Sequence, residues 1–254
     1  MKDLIGIMDS GVGGVSVLCT ARRMLPHENF IYFGDNKNAP YGPRNIEEIR
    51  RLSREACACL VNKDIKALVI ACNTITSAYA EQLRREVSIP VIGMEPAVKP
   101  ASLARSDGHI LALATRATLN LEKFSTLMKL YGEGVIPLEG KGLVEIVERG
   151  EADSEEARDA LQALFAPYLQ DKIDGIVLGC THYPFLTGAI RRIVGRGPEI
   201  LDGSHGVAMQ LGRRLAAAGM LRTQGGAGTV EFRNSLDEPE ILALSRALLQ
   251  DRED

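Results

Sequence analysis

Two cysteines stand in matching surroundings. Ile65–Thr74 reads IKALVIACNT and Ile173–His182 reads IDGIVLGCTH, so Cys72 and Cys180 each follow an apolar run and precede two polar residues. A thiol with an unperturbed pKa of about 8.5 acts as a base or nucleophile in its thiolate form, which oriented N–H dipoles or an imidazole promote. Asn73, Thr74, Thr181 and His182 are the neighbours available for that work, although His182 also suits a turn. One cysteine with a histidine suits acyl transfer. Two adjacent cysteines suit thiol–disulfide exchange. Two cysteines on matched units suit a third task, in which one thiol removes a proton from one face of a carbon and the other returns a proton to the opposite face. Mirror-image products have equal free energy, so this exchange needs no redox cofactor or nucleotide. The sequence has no sharp metal motif and no clear pyridoxal-phosphate signature, although a Schiff-base lysine leaves no motif of its own. The expectation is therefore no cofactor and no metal.

A second chemical feature is the loop Asp9-Ser10-Gly11-Val12-Gly13-Gly14-Val15-Ser16. It follows an apolar run and opens a helical segment, the setting for an anion held by helix N-terminal N–H groups. Ser16 replaces the third glycine of a dinucleotide fingerprint, and the ending of a P-loop is missing. Two readings stay open: a tight turn that needs glycine, or a small-anion cradle with Ser10 as donor and Asp9 as a carboxylate. A carboxylate beside an anion makes sense when the same ligand carries an amino group. The remaining cysteines, Cys19, Cys57 and Cys59, lie in apolar helical text and are expected to be small buried hydrophobes. His27, His109 and His205 lack comparable partners and read as surface or turn residues.

The elements that must position these residues alternate. Strands are expected at 4–8, 30–33, 67–71, 91–92, 110–114, 176–178 and 199–201, each stopping at small polar residues. Helices are expected at 15–25, 46–63, 77–87, 119–130, 154–169, 188–194 and 205–218. Alternation of this kind predicts parallel sheets covered by helices, with ligands at the carboxyl ends of the strands. The pattern also repeats. The two cysteines are 108 residues apart, the strand ends at Asp9 and Thr115 are 106 apart, and Pro90 and Pro198 each lie 18 residues beyond their cysteine. Two similar α/β domains with mainly parallel central sheets and pseudo-symmetry are therefore expected. The first domain covers 1–96 plus 207–254 and is discontinuous, because the C-terminal helices fold back on it. The second covers 97–206.

Composition bounds the function. The chain has 254 residues, 45% hydrophobic and 25% charged, which suits a globular protein of one large or two ordinary domains. Lys plus Arg total 30 against 33 acidic residues, and this net charge of −3 argues against a nucleic-acid partner. Aromatic residues are 5% with no tryptophan, so base stacking is poorly supported. No apolar run reaches the ~18–20 residues that span a bilayer, so no membrane partner is expected. Five cysteines, an odd number without a CxxC pair, read as thiols in a reducing compartment, which points to the cytoplasm.

The segments IGIMDSGVGGVSVL, YFGDNKNAPYG, LVIACNTITSA, VIGMEPAVKPA, LATRAT and LGCTHYPFL, running from Ile5 to Leu186, resemble the cofactor-independent aspartate/glutamate racemase superfamily, glutamate racemases in particular. The resemblance implies an active site in the cleft between the two domains, with L- and D-glutamate as substrate. By it, Cys72 and Cys180 are the acid/base thiols, Cys72 deprotonating the D and Cys180 the L enantiomer, assisted by Asp9 and His182. Ser10, Pro40, Tyr41, Gly42, Asn73, Thr74, Thr115, Thr118 and Thr181 resemble the substrate-binding set, and Glu148 matches a supporting acidic position. It further implies a homodimer and a supply of D-glutamate for peptidoglycan. Gly140-Lys141, Asn120, Phe124 and Gly203 depart from the family pattern at positions that bear on the outer pocket. Relatives acting on aspartate share the cysteine pair. Three rival readings make different demands: a non-catalytic amino-acid binder, a hydrolase using Cys180 and His182 alone, and a racemase of another acid.

Overall fold

The computed structural model describes residues 3–236 and 238–252. In chain order it begins β1 (Leu4–Asp9), α1 (Val15–Met24), β2 (Asn29–Gly34), α2 (Ile46–Val61), β3 (Ala67–Ile70), α3 (Asn73–Glu86) and β4 (Val91–Gly93). Then come α4 (Val98–Ala104), β5 (His109–Ala114), α5 (Arg116–Leu119), α6 (Glu122–Tyr131), β6 (Val135–Glu139), α7 (Leu143–Glu148) and α8 (Glu155–Phe165). The last are β7 (Ile173–Leu178), α9 (Thr187–Val194), β8 (Glu199–Asp202), α10 (Ser204–Ala217), β9 (Val230–Asn234) and α11 (Pro239–Gln250). The chain divides into two compact units, Met1–Met94 with Ser204–Asp254, and Glu95–Gly203.

In the first unit the sheet order is β4-β3-β1-β2-β9, and every pairing is parallel. β1 and β3 are buried on both faces, as their near-continuous apolar text requires. Helix α2 lays Ile49, Leu52, Ala56, Cys57 and Leu60 into the core beside Ile70 and Ile75. Helices α10 and α11 pack on α1. At the amino ends of the strands the buried Lys66 Nζ lies 2.5 Å from Glu28 Oε2 and donates to Met220 O at 2.8 Å. Glu28 Oε1 accepts from Arg222 N at 2.9 Å, so this ion pair ties the segment before β9 to the sheet.

The second unit has the order β6-β5-β7-β8, again all parallel. The internal repeat maps β1, β2, β3 and β4 onto β5, β6, β7 and β8, and under this mapping the two orders are the same. β9 is the first sheet's extra edge strand. Each sheet reverses its winding between the two strands that end near the residues singled out above, β1 with β3 and β5 with β7. That is where ligands bind in open α/β sheets.

Several elements differ from expectation. β6 was unexpected because Pro137 sits within it. Proline removes a ladder donor, and β6 escapes the cost by being an edge strand. β9 was submerged in what reads as a helical C-terminus, and Glu231 and Arg233 face outward from it. α3 begins at Asn73 rather than residue 77, directly after Cys72. The helix expected over 119–130 is two helices, α5 and α6, separated at Asn120-Leu121. Cys59 is exposed, not buried: two residues along a helix turn through about 200°, which puts it opposite the buried Cys57.

Candidate active site

In the first unit Asp9 ends β1 and is fully buried, with Gly14 N donating to its Oδ2 at 2.8 Å. A Cβ on Gly14 would lie 2.7 Å from Asp9 Cβ, so the loop needs glycine there to approach the carboxylate. Val15 N and Ser16 N donate to the carbonyls of Val12 and Gly13. Three N–H groups of the glycine loop are therefore committed within the chain, one of them to the protein's own anion.

Cys72 is the N-cap residue of α3, with extended backbone, and Thr76 N donates to its carbonyl. Its sulfur lies 3.7 Å from Ser10 Oγ. The early amides of α3, those of Asn73 and Thr74 included, lack intrahelical acceptors, and a helix N-terminus of this kind favours a thiolate. Asn73 and Thr74 are buried in this first turn. Thr76 secures it, its hydroxyl donating to Ile70 O and accepting from Met94 N. Tyr41, flanked by the half-buried Pro40 and Gly42, donates its hydroxyl to Asp35 Oδ2 at 2.6 Å. Burial first, and then the Asp35 bond, hold the Tyr41 hydroxyl far above the usual tyrosine range, so it stays protonated. Asp35 also accepts from Asn38 Nδ2. It organises the loop and was missed in the sequence, though it stands directly after a strand as Asp9 ends one.

In the second unit Cys180 lies two residues past β7, ahead of a short 3-10 helix, Tyr183–Leu186. Its sulfur is 3.6 Å from His182 Nδ1, and His182 Nε2 is 2.5 Å from Glu148 Oε1 at the end of α7. His182 is buried. Burial alone pushes its pKa down, but the bonds and charges of Cys180 and Glu148 prevail and raise it well above the ordinary value. The Cys180 and Glu148 contacts thus favour the protonated imidazole over the neutral one. Thr115 caps α5, accepting from Thr118 N, and its hydroxyl lies 3.0 Å from that of Thr118. One of these two hydroxyls donates to the other, which leaves one proton for an outside acceptor. Thr181 is buried beside Cys180.

The two thiols have different neighbours: the Ser10 hydroxyl at Cys72, and His182 with Glu148 behind it at Cys180. By the repeat, His182 corresponds to Thr74 and Asp9 to Thr115, so the charged groups occupy non-equivalent positions. None of the five cysteines is in a disulfide. Among the described residues no group of three or more His, Cys, Asp or Glu side chains is placed to hold a metal ion, and no helix is long and apolar enough to cross a membrane.

Two all-parallel sheets of the same order, each with a thiol beyond the same strand, define a class. The chain belongs to the Asp/Glu/Hydantoin racemase family, whose model matches residues 14–211. It is 48% identical over 249 residues to a glutamate racemase of Clostridium perfringens, covering 97% of this chain and 96% of that one. Among solved structures it resembles the glutamate racemase isoform RacE1 of Bacillus anthracis, with TM-score 0.86, 30% identity and coverage of 98% and 94%. It also resembles a glutamate racemase of Francisella tularensis in complex with D-glutamate, with TM-score 0.81, 25% identity and coverage of 98% and 94%.

Proposed function

We propose that the protein is a glutamate racemase that interconverts L- and D-glutamate by two-base proton transfer at Cα. Cys180 removes the proton from L-glutamate while Cys72 donates one to the opposite face, and the roles exchange for D-glutamate. The C–H bond breaks to sulfur on one face and a new one forms from sulfur on the other, so no other reactant is consumed. His182, held by Glu148, stabilises the Cys180 thiolate. The α3 N-terminus, with Ser10 and Asp9, serves Cys72. Pro40, Tyr41 and Gly42, with Asn73, Thr74, Thr115, Thr118 and Thr181, form the substrate-binding set, and backbone N–H and hydroxyl donors stabilise the carbanion-like transition state. Loss of one such donor costs about 3–4 kcal/mol where this has been measured. We place the enzyme in the cytoplasm as a homodimer supplying D-glutamate for peptidoglycan.

The observation that carries this reading is the placement of Cys72 and Cys180 just beyond equivalent strands of two sheets with the same order. The Cys180–His182–Glu148 relay also suits a thiol hydrolase, but that reading leaves Cys72 without a task. Circular dichroism of L-glutamate incubated with the protein tests the proposal. The signal should decay to zero, with L-aspartate far slower. Retention of the glutamate signal would refute it.

A further inference from the structure

Helix α7 carries Glu148 but has little of its own to hold it in place. It is six residues long, and it starts after Gly142, which is in the left-handed conformation and offers no side-chain cap. Isolated helices this short are not stable in water, so packing and attachments at its ends must set its position. Leu143, Ile146 and Val147 bury its apolar face, and it packs against the 3-10 helix that follows Cys180. Its far end meets that segment through Glu148 and His182. Just ahead of its near end is a second attachment, unused by the mechanism above. The fully buried Tyr183 donates its hydroxyl to Gly140 O at 3.1 Å.

Both ends of this second attachment are anchored. Gly140 N donates to Ala114 O, extending the β5–β6 pairing, and Tyr183 N donates to Cys180 O at 3.1 Å. A Cβ on residue 140 would stand 2.4 Å from the Tyr183 hydroxyl, so the contact requires glycine at that position. Burial first, with the neighbouring charges of Cys180, Glu145 and Glu139, keeps the phenol protonated and able to donate.

We propose that Tyr183 is a positioning residue: by bonding Gly140 it docks the start of α7 on the turn bearing Cys180 and so sets the Glu148–His182–Cys180 relay. This rests on the two-thiol reading and adds a residue to it. Tyr183 acts only through the relay, so its loss should weaken Cys180 and leave Cys72 untouched.

Racemisation rates cannot reveal this one-sidedness. Enantiomers have an equilibrium constant of one, so kcat/KM is equal in both directions for any variant. Elimination from 3-chloroglutamate can, because it uses one base. The thiolate takes the Cα proton, chloride leaves from Cβ, and the resulting enamine tautomerises and hydrolyses to 2-oxoglutarate and ammonium. The full-length parent, Cys180→Ser, Tyr183→Phe, Gly140→Ala and the Tyr183→Phe/Gly140→Ala double variant are assayed with each α-enantiomer. Tyr183→Phe and Gly140→Ala should each lose ~10-fold or more on the enantiomer that Cys180→Ser no longer processes, and under 2-fold on the other. The double variant should be no worse than either single one, because the methyl then fills the space of the missing hydroxyl. Equal losses on both enantiomers, or none, would overturn the positioning role. A parent inactive on either enantiomer would instead overturn the two-thiol reading. An NMR titration of His182 gives a readout without turnover. Its pKa should fall in Tyr183→Phe, and an unchanged value contradicts the proposal.

Discussion

At the residue scale the two thiols proposed as bases have different surroundings. Cys72 stands at a helix N-terminus beside the Ser10 hydroxyl, while Cys180 lies beside an imidazole held by a carboxylate. The second arrangement has a pH signature. The folded-state pKa of His182 lies above its ordinary value of 6.5. Its contribution to stability is therefore complete below about pH 6.5 and is lost as pH rises through the folded-state pKa. Glu148→Gln removes a partner that raises this pKa. The variant should be less stable than the parent near pH 6, with the gap closing at alkaline pH, and His182 should titrate lower by NMR. A gap independent of pH would contradict the assignment. Cys57 supplies a separate check. Burial first, then the nearby Cys59, pushes its thiol from 9.0 to about 12. Stability should therefore decline between about pH 9 and 12, and Cys57→Ala should flatten that decline in denaturant titrations.

At the element scale, caps and buried pairs set where the reactive residues stand. Asn45 caps α2, accepting from Glu48 N, and Asn45→Ala should cost about 1 kcal/mol in urea unfolding without altering KM. Lys66→Ala should cost more, about 3–5 kcal/mol, because it strands the buried charge of Glu28. A loss under 1 kcal/mol would show that the pair does not secure the segment before β9. These elements were unequally legible in the sequence. β1, β3, β5 and β7 read clearly because buried parallel strands are continuous apolar runs ending at small polar residues. β6 and β9 did not, because edge strands expose one side and tolerate proline and charge. The start of α3 was misread because Asn73, Thr74 and Thr76 are weak helix formers. They are helical here because the N-cap position of Cys72 and the bonds of Thr76 to Ile70 and Met94 hold the first turn. Gly140 stood out only as a departure from the family pattern and Tyr183 only as part of a matching segment; their contact carried no signal, since a hydroxyl meeting a distant carbonyl leaves no local pattern.

At the scale of the whole molecule, the repeat ties fold to chemistry. A racemase must handle mirror-image ligands at comparable free energies, and two units with the same strand order offer comparable frameworks for the two thiols. The spacing of 108 residues between the cysteines makes this repeat legible in the amino-acid text, while the carboxylate–imidazole relay at Cys180 marks a difference between the halves. Exchange of the Cα proton through sulfur predicts deuterium at Cα of glutamate recovered from D₂O, readable by mass spectrometry as a gain of one mass unit. Inverted product without deuterium would rule out proton transfer to exchangeable thiols.

If each thiol serves one face of a single carbon, elimination from the separate enantiomers of 3-chloroglutamate by Cys72→Ser and by Cys180→Ser will reveal it. Each variant should lose glutamate racemisation by ~10²-fold or more yet still process one enantiomer, and the two variants should choose opposite ones. Retention of the same enantiomer by both, or parental racemisation by either, would show that the two thiols do not divide the faces of Cα between them.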